Sequence, residues 1–169
     1  MSNPKANGGF TLIETVLVLG LIGAMMLFTL PNIMNSLETR NLDNSARQVQ
    51  ATLQQARFRA VKEKAEYRIR FALVKGVWQV LLETSVTTGV WTPAPGFVPI
   101  LVSPKVVLTV NLPAPYAVEF SPVGIVQGYS GTQNTLTLQS LKLKAKLRQD
   151  LRILTVFQGG SVQYQRASS

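Results

Sequence analysis

Residues 8–15 read GGFTLIET, and they open an apolar run, FTLIETVLVLGLIGAMMLFTL, that extends from Phe10 to Leu30. The 21 residues of this run would span about 31 Å as a helix, matching a bilayer hydrocarbon core about 30 Å thick. The only charge within it is Glu14, four residues past Phe10. A carboxylate in an apolar phase costs about 2.5–3.5 kcal/mol on insertion scales, so its position needs a reason. The plainest reason is that Glu14 sits at headgroup level, at the edge of the segment. Before the run stands MSNPKANGG, short and polar, with Lys5 as its charge. A secretory signal places its cleavage site after the apolar stretch, whereas here the small residues precede it; an uncleaved anchor is the simple alternative.

Working outward, Pro31 follows the run and predicts a kink near Leu27 to Pro31, because proline removes a helical hydrogen bond. Beyond it, Leu42, Ala46, Val49, Leu53, Ala56 and Ala60 recur at spacings of four and three. This is one apolar stripe of a helix that packs along one side. The other faces carry Arg47, Gln48, Gln50, Gln54, Gln55, Arg57 and Arg59. An independent coiled coil is the alternative, but only about three heptads are present and alanine dominates the seam. If continuous, the two helical segments measure on the order of 80 Å. The first is too apolar for water and the second too polar for lipid.

The pattern changes at Tyr67. YRIRFALV alternates apolar Tyr67, Ile69, Phe71 and Leu73 with Arg68 and Arg70, a half-buried strand, and Lys75-Gly76 turns it into VWQVLLE. Residues 84–104, with four prolines, read as a long irregular loop containing FVPILV, and Trp91 reads as packing. Further strands are expected at KVVLTVNL, AVEF, TLTLQ, LRILTVF and SVQYQ, the last two joined across Gly159-Gly160. The fold class is α+β, a long amino-terminal helix on an antiparallel sheet domain. The expected divisions are residues 1–9, a polar leader; 10–33, an apolar helix; 34–65, an amphipathic helix; and 66–169, the sheet domain.

Composition narrows the chemistry. The chain of 169 residues contains no Cys and no His, which excludes thiolate nucleophiles, disulfides, imidazole bases and the usual zinc or iron ligands. The acids Glu14, Glu38, Asp43, Glu63, Glu66, Glu83, Glu119 and Asp150 show no paired spacing suited to acid/base catalysis and no cluster for calcium. No catalytic residue, metal site or cofactor is expected, and the chain reads as a non-enzyme. Seventeen basic residues stand against eight acidic ones, a net charge of +9, so an anionic partner such as nucleic acid or a lipid surface is electrostatically possible.

A short basic leader ending in Gly, followed by Phe-Thr-Leu-Ile-Glu and an apolar helix, resembles the class III signal of type IV pilins and type II secretion pseudopilins. The resemblance implies that a prepilin peptidase cuts between Gly9 and Phe10 and methylates the amine of Phe10. It also supplies another reason for Glu14: its carboxylate would attract the amino terminus of a neighbouring subunit as that subunit enters a filament. In the second half, FSPVG at 120–124, Gly131-Thr132 with TLTL, and RILTV before a glycine turn resemble the globular domain of the GspH/FimT group. The implied fold is pilin-like, with a transmembrane first half of the helix. The implied function is a non-catalytic minor pilin or pseudopilin subunit. Its partners would be prepilin peptidase, other pilins or pseudopilins in a filament, and an inner-membrane assembly platform. Its location would be the bacterial inner membrane as a single pass, with the carboxy-terminal domain in the periplasm or outside, and then a pilus or pseudopilus. Leader and helix are common to both systems and do not choose between type II secretion and the type IV pilus.

Some FimT-like minor pilins bind DNA for uptake through a terminal Gly-Arg-x-Arg element. The matching place here reads GGSVQYQR, where only Arg166 remains. Another basic stretch, LKLKAKLR at 141–148, would as a strand align Lys142, Lys144, Lys146 and Arg148 on one face about 7 Å apart, able to track phosphates. The alternatives are a solvated edge strand guarded by lysines, or a helix carrying Leu143, Leu147, Leu151 and Leu154 on one side. The strand is the preferred reading.

Overall fold

The computed structural model describes residues 11–87, 89–145 and 150–168, with the side chains of 27–32, 86 and 168 outside that description. The chain forms two compact units, Met1–Leu37 and Glu38–Ser169. Helix α1 (Leu12–Glu63) is assigned without a break through Pro31, so the proline does not end it. The kink expected near Leu27 to Pro31 falls on residues whose side chains lie outside the description.

α1 stops after Glu63, where Lys64 adopts a left-handed conformation at φ 51° and the Ala65 N–H reaches back to the Ala60 carbonyl at 3.3 Å. That is the hydrogen-bonded turn that commonly closes helices, here with lysine where glycine is usual. The chain then enters β1 (Tyr67–Val74) and returns in β2 (Val77–Thr87). Lys75 and Gly76, at φ 49° and 78°, form the two-residue turn whose handedness matches the strand twist. The hairpin register runs from Val74 opposite Val77 to Tyr67 opposite Thr84.

The segment 84–104 is more ordered than its prolines suggest. β2 continues to Thr87, β3 (Val90–Pro93) folds back on it, and β4 (Ile100–Leu101) pairs with Val80 and Gln79. The expectation of a long irregular loop is therefore corrected. Pro93 lies at the end of an outer strand, where a missing N–H costs no interior ladder bond.

β5 (Val106–Asn111), β6 (Ala117–Phe120), β7 (Val126–Gln127), β8 (Thr135–Ser140), β9 (Asp150–Val156) and β10 (Val162–Ser168) complete the sheets. The strands divide into two antiparallel sheets instead of one. Sheet A orders β3-β2-β1-β6-β7, with β4 also on β2, and sheet B orders β10-β9-β8-β5.

The core explains the architecture. Leu42, Ala46, Val49, Leu53, Ala56 and Ala60 of α1 are all buried and share one cluster with Ile69 and Phe71, Val80 and Leu82, and Phe120 of sheet A. Leu108, Leu136, Leu138, Leu154 and Val156 bring sheet B into the same cluster. The helical stripe read from the sequence is the face that both sheets cover. Its alanines let the sheets approach the helix axis, while each large aliphatic side chain contributes about 1.5–3 kcal/mol by leaving water.

At the end of the core farther along α1, Arg57 donates through Nε to the Gly124 carbonyl at 3.0 Å. A Cβ on Gly160 would lie 2.2 Å from that same carbonyl oxygen, and Gly160 has φ 78°. The FSPVG turn and the Gly159-Gly160 turn are thus pressed together. Pro122 and Gly124 serve the fold as turn residues.

Candidate assembly site

The first described residue explains where α1 begins. Thr11 precedes Leu12, and its Oγ1 accepts the Glu14 N–H at 3.3 Å. Thr11 is the helix cap and Glu14 stands three residues on, the spacing of a capping box, T-x-x-E. A negative charge in the first turn also complements the positive end of the helix dipole. Glu14 therefore has a local role that its sequence neighbours announced and that the reading of the apolar run passed over.

Around Glu14 the helix surface is apolar on every side. Leu12, Ile13, Val16, Leu17, Leu19, Leu21 and Ile22 are all exposed, from 44% to 84% of their surface. A face this large and apolar is foreign to a monomer in water. Among the described residues no helix is long and apolar enough to cross a membrane. Gly9 and Phe10, the expected cleavage and methylation residues, lie outside the described residues.

The basic residues are placed differently from the expected row. Leu141–Ala145 form a short helix, α2, so the strand expected at 141–148 is corrected for that part. The reason is topological: β8 must hand over to its antiparallel neighbour β9, and the chain turns helically after Ser140 instead of extending the ladder. Leu143 is buried, whereas Leu141, Lys142 and Lys144 are exposed. Residues two apart on a helix point to different sides, so Lys142 and Lys144 do not line one face. Lys142 Nζ lies 3.6 Å from Glu38 of α1. Lys146 and Arg148 lie outside the described residues. Arg166, in β10 opposite Arg152, has its Nε 3.5 Å from Asp150.

Two buried ionic groups had no distinct signal. Arg152 has no exposed surface; its guanidinium donates to Asp43 of α1 and to Asp150. Tyr164 donates to Asp43 at 2.7 Å, and Arg47 lies over the Tyr164 ring at 5.5 Å. Burial pushes the Asp43 carboxyl upward, but hydrogen bonds from Arg152 and Tyr164 and nearby cations outweigh it and hold the group below its ordinary value. Burial pushes Arg152 downward and the two carboxylates more than reverse it, so the guanidinium stays charged.

On the outer face of sheet A, Glu83 accepts from Arg68 at 2.6 Å and from Arg70 at 2.8 Å, and the Arg68 guanidinium stacks 4.3 Å from the Trp91 ring centroid. Trp91 thus packs, as its sequence context suggested, but on a cation. Burial raises the Glu83 carboxyl, yet the two arginines bring it below the usual range. These clusters tie helix to sheet and strand to strand. Among the described residues no group of three or more acids could hold a metal ion.

No known family's sequence model matches this chain, and no curated protein matches it. Solved structures do. The minor pseudopilin EpsH from the Type 2 Secretion System of Vibrio cholerae superposes with a TM-score of 0.56 at 11% identity, covering 78% of this chain and 98% of that one. The type IV minor pilin FimU of Pseudomonas aeruginosa gives 0.55 at 18% identity, covering 76% and 97%. At such identities the likeness concerns the fold, and that fold is pilin-like: a long amino-terminal helix on antiparallel sheets.

Proposed function

We propose that this chain is a non-catalytic minor pilin or pseudopilin subunit, cut after Gly9 by prepilin peptidase, methylated at Phe10, and assembled into a type II secretion pseudopilus or a type IV pilus. The observation that carries the reading is the exposed apolar surface of α1 from Leu12 to Ile22 on a chain with a pilin-like fold. Such a surface needs a lipid phase before assembly and sister helices after it. The apolar run from Phe10 to Leu30 supports a single pass in the bacterial inner membrane, with the carboxy-terminal domain in the periplasm or outside.

Glu14 then has a second task. Once the leader is removed, Phe10 carries a positive amine, and pairing that amine with the Glu14 of a neighbouring subunit offsets the cost of holding a carboxylate among apolar helices. An inner-membrane assembly platform and other pilins are the partners of this reading.

The test is to express the full chain with and without a prepilin peptidase and to determine the amino terminus and mass of the product. A product beginning at N-methylated Phe10 is expected. An intact leader in the presence of active peptidase overturns the pathway and leaves an ordinary anchor.

A DNA-receptor minor pilin is the other reading, favoured by the exposed Lys142, Lys144 and Arg166. It has less support. Lys142 and Arg166 each face a carboxylate, Glu38 and Asp150, and the regular phosphate-tracking row does not form along 141–145. Salt-sensitive DNA binding that falls on changing Lys142 and Lys144 to Ala would restore it.

A further inference from the structure

The sheet register gathers several chain segments at one end of sheet B. Val106 of β5 pairs with Ser140 of β8, so Lys105 and Leu141 are neighbours, and the Leu141 N–H donates to the Lys105 carbonyl at 2.9 Å. α2 continues from there with Lys142, Leu143 and Lys144. Leu143 is inserted in the protein, and its burial anchors the turn. Leu141 is 49% exposed, set between Lys105 and Lys142 on a shallow groove whose other walls are Pro104 and Glu38.

Lys105 and Lys142 line the groove beside the largely buried Glu38, and Lys144 follows on another side of α2, so this end keeps a positive balance after Lys142 is matched with Glu38.

We propose that this end of the globular unit, through Lys105, Lys142 and Lys144 with Leu141 as an apolar tip, binds anionic lipid headgroups while the subunit waits in the membrane. The inference rests on the membrane-inserted stage of the proposed function. A lipid surface fits for two reasons. Lysines are attracted to an anionic leaflet, and that attraction requires no regular spacing. An exposed leucine among them gains by entering the headgroup and acyl boundary, whereas a phosphate backbone in water offers it nothing. Entry into a filament would release the contact, so leaflet charge would modulate extraction.

The absence of native cysteine allows a single reporter. Leu141→Cys in the full chain, labelled with an environment-sensitive dye, is placed in nanodiscs of phosphatidylcholine alone or with phosphatidylglycerol. Membrane retention of the chain is measured in parallel. A blue-shifted emission in the phosphatidylglycerol discs, reversed by salt and lost in Lys105→Gln/Lys142→Gln/Lys144→Gln, is expected. A chain retained by both discs whose dye ignores lipid charge overturns this inference and leaves the proposed function standing. A chain retained by neither overturns the inserted stage itself. A dye that responds to duplex DNA and ignores phosphatidylglycerol assigns this end to nucleic acid and overturns the lipid reading.

Discussion

Glu14 meets one physical demand in the structure and a second in the proposed function. As the third residue past the Thr11 cap it completes a helix start, and as a charge in an apolar run it would attract the amine of a neighbouring subunit. Glutamine satisfies the first demand and not the second, since it also suits a capping box. Glu14→Gln should therefore leave helix content and membrane insertion unchanged while filament incorporation, read by co-purification with sister subunits, falls about tenfold, the effect of losing about 1.4 kcal/mol. Thr11→Ala should do the reverse, costing about 1 kcal/mol at the helix start with incorporation preserved. Gly160 and Gly159 make a second contrast. Alanine at Gly160 would meet the Gly124 carbonyl and the Arg57 guanidinium in a left-handed backbone, whereas nothing lies within 4 Å of a Cβ at Gly159. Gly160→Ala should lower the unfolding free energy by at least about 2 kcal/mol, whereas Gly159→Ala should leave it within about 0.5 kcal/mol or raise it slightly, in denaturant titrations. Both glycines are plain in the sequence as a turn. Which of the two is crowded depends on the FSPVG turn, 36 residues away from Gly124 to Gly160.

Among the elements, α1 was the most legible, because its stripe of six apolar positions follows from helical periodicity alone. Leu53, with no exposed surface, is the test of that stripe. Leu53→Ala should cost about 2–5 kcal/mol by cavity formation, against a much smaller loss for Phe58→Ala, whose ring is 65% exposed. The short strands were legible where alternation is clean, as in YRIRFALV. β7 has only two residues and carries no period, and β3 and β4 were concealed by prolines that an outer strand tolerates. α2 was misread because LKLKA satisfies an alternating pattern as well as a helical turn. What decided it was the need to connect β8 to β9, which is a property of the sheet.

For the whole molecule, the buried ion pairs tie α1 to sheet B and, within sheet A, strand to strand. Asp43 and Glu83 both titrate below their ordinary values of 3.8 and 4.5 in the folded chain. Their contribution is fully present above those unfolded-state values and is lost as pH falls through the depressed folded ones. Stability in denaturant should therefore stay level from neutral pH to about 5 and decline steeply below about 4. Arg152→Met would leave Asp43 and Asp150 without their buried cation and should cost about 3–5 kcal/mol at neutral pH. The same variant should weaken the acid decline, since Asp43 would lose the Arg152 hydrogen bond and charge that help hold its carboxyl below the ordinary value.

The sequence by itself determined the order of parts: a polar stretch, an apolar segment with one carboxylate, an amphipathic helix, and alternating strands. Each of these is encoded by local period or by composition, so neighbours along the chain suffice to read it. Only the tertiary structure decided the division into two sheets, the partners of Arg152 and Glu83, the crowding at Gly160, and the gathering of Lys105, Leu141 and Lys142 beside Glu38. Those depend on strand pairing between residues tens of positions apart, and a long-range register leaves no mark on any single stretch of sequence.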